Sequence, residues 1–126
     1  MSSAISGPAQ PFTEEVAGWV CTVFPDPDHP AFEAVCARRN RRSAGIGDPV
    51  EARLRFVVGP YRSLLVQHRI WVIHDPAERQ RMRWGEEPFR RTDDLRAWLE
   101  QAGLPAELAR TLLEQVSSLP TLLASA

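Results

Sequence analysis

Residues 50–74, VEARLRFVVGPYRSLLVQHRIWVIH, decide the fold. In the first half Ala52, Leu54, Phe56 and Val58 alternate with Glu51, Arg53 and Arg55, the period-two pattern of a ribbon buried on one side. Gly59-Pro60 ends that run. In the second half Leu64, Val66, His68, Ile70 and Val72 fall on one face and Leu65, Gln67, Arg69, Trp71 and Ile73 on the other. A strand that is mostly apolar on both faces lies inside a sheet or is covered twice. Two strands alone are marginal in water, so the hairpin predicts helices against at least one face.

Outward toward the N-terminus, residues 1–11 are small, polar and proline-containing and read as a flexible tail. Thr13 has the chemistry of a helix N-cap, with Glu14 and Glu15 behind it at the positive end of the helix dipole. Val16, Trp19, Val20 and Val23 then repeat at helical spacing, which predicts a first helix. The run 19–24 is also rich in strand formers, so a strand there is the alternative. Three prolines within residues 25–30 impose a rigid turn. Asp28 can cap a second helix with Phe32, Val35 and Cys36 as its stripe, ending in Arg38, Arg39, Arg41 and Arg42.

Outward toward the C-terminus, Asp75-Pro76 can open a short helix through Trp84, although Arg79, Arg81 and Arg83 stand at every second position without an apolar stripe. Residues 85–91 read as a loop. Thr92, with Asp93 and Asp94 behind it, caps a clear helix bearing Leu95, Trp98, Leu99 and Ala102, and Gly103 stops it. Pro105 starts another with the stripe Leu108, Leu112, Val116 and Leu119. This pair has helix-turn-helix spacing, but its second helix carries Glu107 and Glu114 against Arg110, and phosphate repels such a helix. It reads as an αα-hairpin packed on the sheet.

A length of 126 residues fits one domain around one core, expected over residues 12–126. No apolar run approaches the roughly 18 residues a bilayer span needs. The N-terminus lacks the charge and apolar stretch of a secretory signal, so the expected location is cytoplasmic and no membrane partner is expected. Cys21 and Cys36 are expected as buried thiols. The net charge of −1 predicts neither a polyanion nor a polycation as partner, but the distribution is uneven. Residues 1–37 carry five acids and no base, residues 38–91 thirteen arginines against six acids, and residues 92–126 two arginines against five acids. All 15 basic residues are arginine.

No sequence pattern of a nucleophile elbow, a dinucleotide fold or a P-loop is present. His68 and His74 on a regular strand lie about 20 Å apart, too far to share a metal. The spacing of Cys21, His29 and Cys36 matches no compact zinc knuckle. Neither catalytic residues nor metal ligands are assigned, and no cofactor is expected. If the hairpin pairs as drawn, Arg53, Arg55, Gln67, Arg69 and Trp71 project from one face, an arrangement suited to a protein partner or to single-stranded nucleic acid. Arg81, Arg83, Trp84, Arg90 and Arg91 can extend that surface.

The sequence therefore predicts an α+β fold, a small antiparallel sheet built on a central β-hairpin and packed by N-terminal helices and a C-terminal αα-hairpin. The expected role is a small intracellular, non-catalytic protein-binding or regulatory protein, acting through the open part of the sheet and the Trp84–Arg91 loop on a protein partner or by self-association as a homodimer. The alternatives are a nucleic-acid-binding module using the same arginines and a small enzyme with a histidine-based site.

Overall fold

The computed structural model describes residues 10–75, 77, 79–121 and 123. Among these residues six strands, β1 (Phe12–Val16), β2 (Trp19–Pro25), β3 (Ala31–Arg38), β4 (Pro49–Val58), β5 (Leu64–Ile73) and β6 (Gln80–Phe89), precede two α-helices, α1 (Thr92–Gln101) and α2 (Ala106–Val116). The strands form one antiparallel sheet in sequence order, each pairing with its chain neighbour. The architecture is α+β, with both helices at the C-terminal end.

The central hairpin follows from its alternation. Ala52, Leu54 and Phe56 of β4 and Leu64, Val66 and Ile70 of β5 all face one buried layer. That layer continues through Trp19, Cys21 and Val23 of β2 and Phe32, Ala34 and Cys36 of β3. Helices α1 and α2 close it with Leu95, Leu99, Leu108, Leu112 and Val116, placed on one face of each helix by the 3.6-residue period. Each leucine so buried contributes about 1.5–3 kcal/mol. Trp98 of α1 lies against His68 of β5, ring centroids 4.8 Å apart, and Thr111 of α2 reaches Glu14 of β1 at 3.5 Å. Thus α1 sits toward the β6 side and α2 toward β1, and among the described residues the opposite sheet face carries no helix.

The N-terminal helices expected from the sequence do not form; their residues build β1, β2 and β3. Apolar residues are so dense between Val16 and Cys36 that the same side chains satisfy both a helical and an alternating period, and the valines and threonine of β2 favour the pleated form. Ala17 and Gly18 both adopt positive φ, 50° and 83°, and make the two-residue turn that pairs Val16 with Trp19. Asp28 caps no helix. Instead Asp26 Oδ1 accepts from the backbone N–H groups of Asp28 and His29 at 2.8 and 3.2 Å and holds the proline-rich turn between β2 and β3.

The short helix expected through Trp84 and the loop expected over 85–91 are also replaced, by β6. Its arginines at every second position mark the strand period. No apolar face accompanied them because β6 is an edge strand, largely exposed until Phe89. The C-terminal αα-hairpin forms over the expected residues, although Thr92 is the first helical residue and Arg91 occupies the cap. Gly103, at φ 99°, ends α1 as expected. No helix among the described residues is long and apolar enough to cross a membrane. The tail expected over residues 1–11 falls, apart from Gln10 and Pro11, outside the described residues.

Candidate interaction face

Register brings the face together. Arg53 of β4 stands directly across from Arg69 of β5, and Arg69 across from Trp84 of β6. One row is Glu51, Trp71 and Met82; another is Glu33, Arg55, Gln67 and Glu86. All of these alternate with the buried layer and point away from the helices. Glu33, Arg53, Arg55, Gln67, Arg69, Met82, Trp84 and Glu86 line a shallow basin of about 650 Å³.

Most polar groups on this face are paired within it. Arg55 Nη2 donates to Asp26 Oδ2 at 2.9 Å, Arg53 Nε to Glu51 Oε2 at 3.3 Å, and Gln67 Nε2 to Glu86 Oε2 at 2.8 Å. The Arg55 guanidinium, helped by the two backbone donors of the proline-rich turn, holds the Asp26 carboxyl below the ordinary carboxylate range. The Arg53 guanidinium also lies 5.7 Å from the centroid of the Trp71 ring, a cation–π contact. Arg69 has no hydrogen-bond or ion-pair partner for its side chain among the described residues. Like charges directly across a ladder destabilise it, and Arg53 and Arg69 stand in that relation. Beside them Trp84 is 75% exposed and Met82 42%.

Of the residues singled out in the sequence, Arg53, Arg55, Arg69, Trp71 and Trp84 meet on this face. Arg81 and Arg83 do not. They pair with Val72 and Ile70, whose side chains face the helices, so they project from the other side of the sheet. Arg90 and Arg91 lie in the junction between β6 and α1, off the face. Residues 84–89 belong to a strand, so no Trp84–Arg91 loop exists to present them. Glu33, Glu86 and Met82 belong to the face and were not singled out, because only the pairing of β6 puts Met82 and Glu86 beside β5. The arginines at the end of β3 and just beyond it have partners of their own: Arg38 donates to Pro49 O and lies over Trp19, Arg39 pairs with Glu15, and Arg41 pairs with Glu51, which it shares with Arg53.

The two histidines share no site. His68 is on the helix-covered side with Nε2 3.4 Å from Glu87 Oε2 and Nδ1 buried without a partner, while His74 is exposed beyond the end of β5. A Cβ at Gly85 would lie 3.0 Å from His68 Nε2, so the imidazole occupies space that only glycine leaves open. Cys21 and Cys36 are direct cross-strand neighbours, both buried, with sulfurs 3.1 Å apart. The Cys36 thiol is pushed up because it donates to Cys21 and because burial disfavours a thiolate. Among the described residues, no three His, Cys, Asp or Glu side chains converge as metal ligands would. No protein-family model, curated protein or solved structure matches this chain.

Proposed function

We propose that the protein is a binding module whose helix-free sheet face takes a segment of another protein presenting a carboxylate beside an apolar side chain. The observation that carries this reading is the Arg53–Arg69 cross-strand pair, with Arg69 unpartnered among the described residues and Trp84 exposed next to it. A carboxylate bridging the two guanidiniums relieves their repulsion, and the Trp84 ring with Met82 offers an apolar neighbour. Arg, Trp and Met are the residue types enriched in the centres of protein interfaces.

Charge balance selects the partner class. Three arginines on this face, Arg53, Arg55 and Arg69, are matched by Glu33, Glu51 and Glu86. A single carboxylate can sit between Arg53 and Arg69, whereas a run of phosphates along the face meets three acids. Arginines beside an exposed indole also suit single-stranded nucleic acid, which is the second reading.

A peptide-display library panned on the protein tests the proposal. The expected consensus has Asp or Glu adjacent to an aliphatic or aromatic residue. Arg69→Glu and Trp84→Ala should each weaken the selected peptide tenfold or more, since a charge-assisted hydrogen bond is worth about 1.5–3 kcal/mol. Absence of any enriched peptide, together with a single-stranded oligonucleotide that binds at low salt and is released steeply as salt rises, would replace this reading with the nucleic-acid one.

A further inference from the structure

Among the described residues strand β6 ends the sheet, and the ten residues Gln80–Phe89 make it as long as β4 and β5. The opposite edge, β1, has five residues. Short edges are one way proteins avoid pairing with another chain, and a long unpaired edge is a template for it. The backbone N–H of His74 donates to the carbonyl of Arg79 at 2.6 Å, which fixes the phase of the ladder. In an antiparallel pair, residues alternate between bonding across it and pointing away. Arg79, Arg81, Arg83, Gly85 and Glu87 therefore bond toward β5, and the backbone groups of Gln80, Met82, Trp84 and Glu86 point outward. Pro88, which has no N–H, falls on an outward position, where a strand tolerates it.

The charges along this edge are ordered. Arg81 and Arg83 occupy its first half and Glu86 and Glu87 its second. Parallel self-pairing sets arginine against arginine. Antiparallel self-pairing sets the basic half against the acidic half, twice over by symmetry. Neither Arg81 nor Arg83 has a side-chain partner among the described residues, and the helices leave both exposed.

From these observations we infer that the protein forms a two-fold dimer by antiparallel pairing of β6 with β6 of a second copy, centred on Trp84. In this register Trp84 faces Trp84 of the partner subunit, Arg81 faces Glu87 of the partner subunit, and Met82 faces Glu86 of the partner subunit. The outward backbone groups of Met82, Trp84 and Glu86 and the Gln80 N–H are then satisfied, while the Gln80 carbonyl meets Pro88 of the partner subunit, which has no donor. The two-fold axis is perpendicular to the sheet, so both copies carry their helices on the same side. The result is one twelve-stranded sheet with the two indoles at the middle of its open face. Arg81 and Glu87 lie on the helix side of β6, so the charge exchange is made off the open face that the peptide reading uses, while Trp84 takes part in both.

Light scattering and sedimentation of the full chain over a range of concentrations test it. A concentration-dependent dimer is expected. Arg81→Glu should abolish it, and Arg81→Glu combined with Glu87→Arg should restore it by exchanging the charges. Trp84→Cys should cross-link the dimer when oxidised glutathione accepts the two electrons, and Met82→Cys should not, because residue 82 has no copy of itself opposite. Circular dichroism of Arg81→Glu serves as the folding control. A monomer at every concentration, a dimer that persists in Arg81→Glu, or cross-linking at position 82 rather than 84 would overturn the inference.

Discussion

Replacing Gly103 with alanine probes the joint between the helical hairpin and the sheet. Gly103 has a φ of 99°, and a Cβ there would lie 2.7 Å from both Cγ and Cδ of Pro49 at the start of β4. Carbon atoms rest about 3.5–4.0 Å apart, so two costs add. Holding an L-residue in left-handed backbone costs about 1–2 kcal/mol, and forcing a methyl into a packed site about 1–3 kcal/mol. Gly103→Ala is therefore expected to destabilise by about 2–5 kcal/mol, a large share of the roughly 5–15 kcal/mol that holds a domain folded. Urea unfolding followed by tryptophan fluorescence measures this, since Trp19 is buried and Trp98 of α1 packs against the core. Pro49→Ala removes the two opposing ring carbons, so in that background Gly103→Ala should cost only the backbone portion. The double-mutant cycle should thus return a coupling of about 1–3 kcal/mol. A coupling within about 0.5 kcal/mol of zero would refute the close approach of Gly103 to Pro49.

Two further outcomes follow from contacts around the sheet. Gly85→Ala should push the His68 ring from its place beneath Trp98, read as a chemical-shift change of the His68 ring protons with the fold retained; an unmoved His68 resonance would count against the packing described. Asp26 has a folded-state carboxyl held below its unfolded value, first by Arg55, so its contribution is fully present above the unfolded carboxylate pKa of about 3.9 and is lost as pH falls through the folded value. Wild type and Asp26→Asn should therefore differ in stability at neutral pH and converge in acid, and a difference that stays constant down to low pH would exclude the Arg55 contact as its source.

The parts legible in the sequence are those where one period excludes the other. Alternation from Glu51 to Val58 admits no helix, and the run Leu95, Leu99, Leu108, Leu112, bounded by Asp93, Gly103 and Pro105, admits no strand. Between Val16 and Cys36 both periods fit, and the deciding turn was hidden because its first residue is Ala17 rather than asparagine or aspartate. Strand β6 was hidden for the opposite reason. An edge strand exposed on both faces has no buried side to set its pattern, and only the spacing of Arg79, Arg81 and Arg83 betrayed it. That miss propagated to the site. Arg53, Arg55, Arg69 and Trp71 were grouped correctly by strand parity, while Arg81 and Arg83 were placed on a face that β6, once recognised, denies them.

Because every strand hydrogen-bonds to the one just before it in the chain, the sheet can grow by zippering. Each new ladder closes only a short loop, and the entropy lost in closing a loop rises with its length. No distant segment must be found before β1 to β6 can assemble. The helical hairpin, which follows the strands in the chain, then arrives as a latch on an already ordered platform, and the local wiring favours rapid folding for a protein so rich in strands.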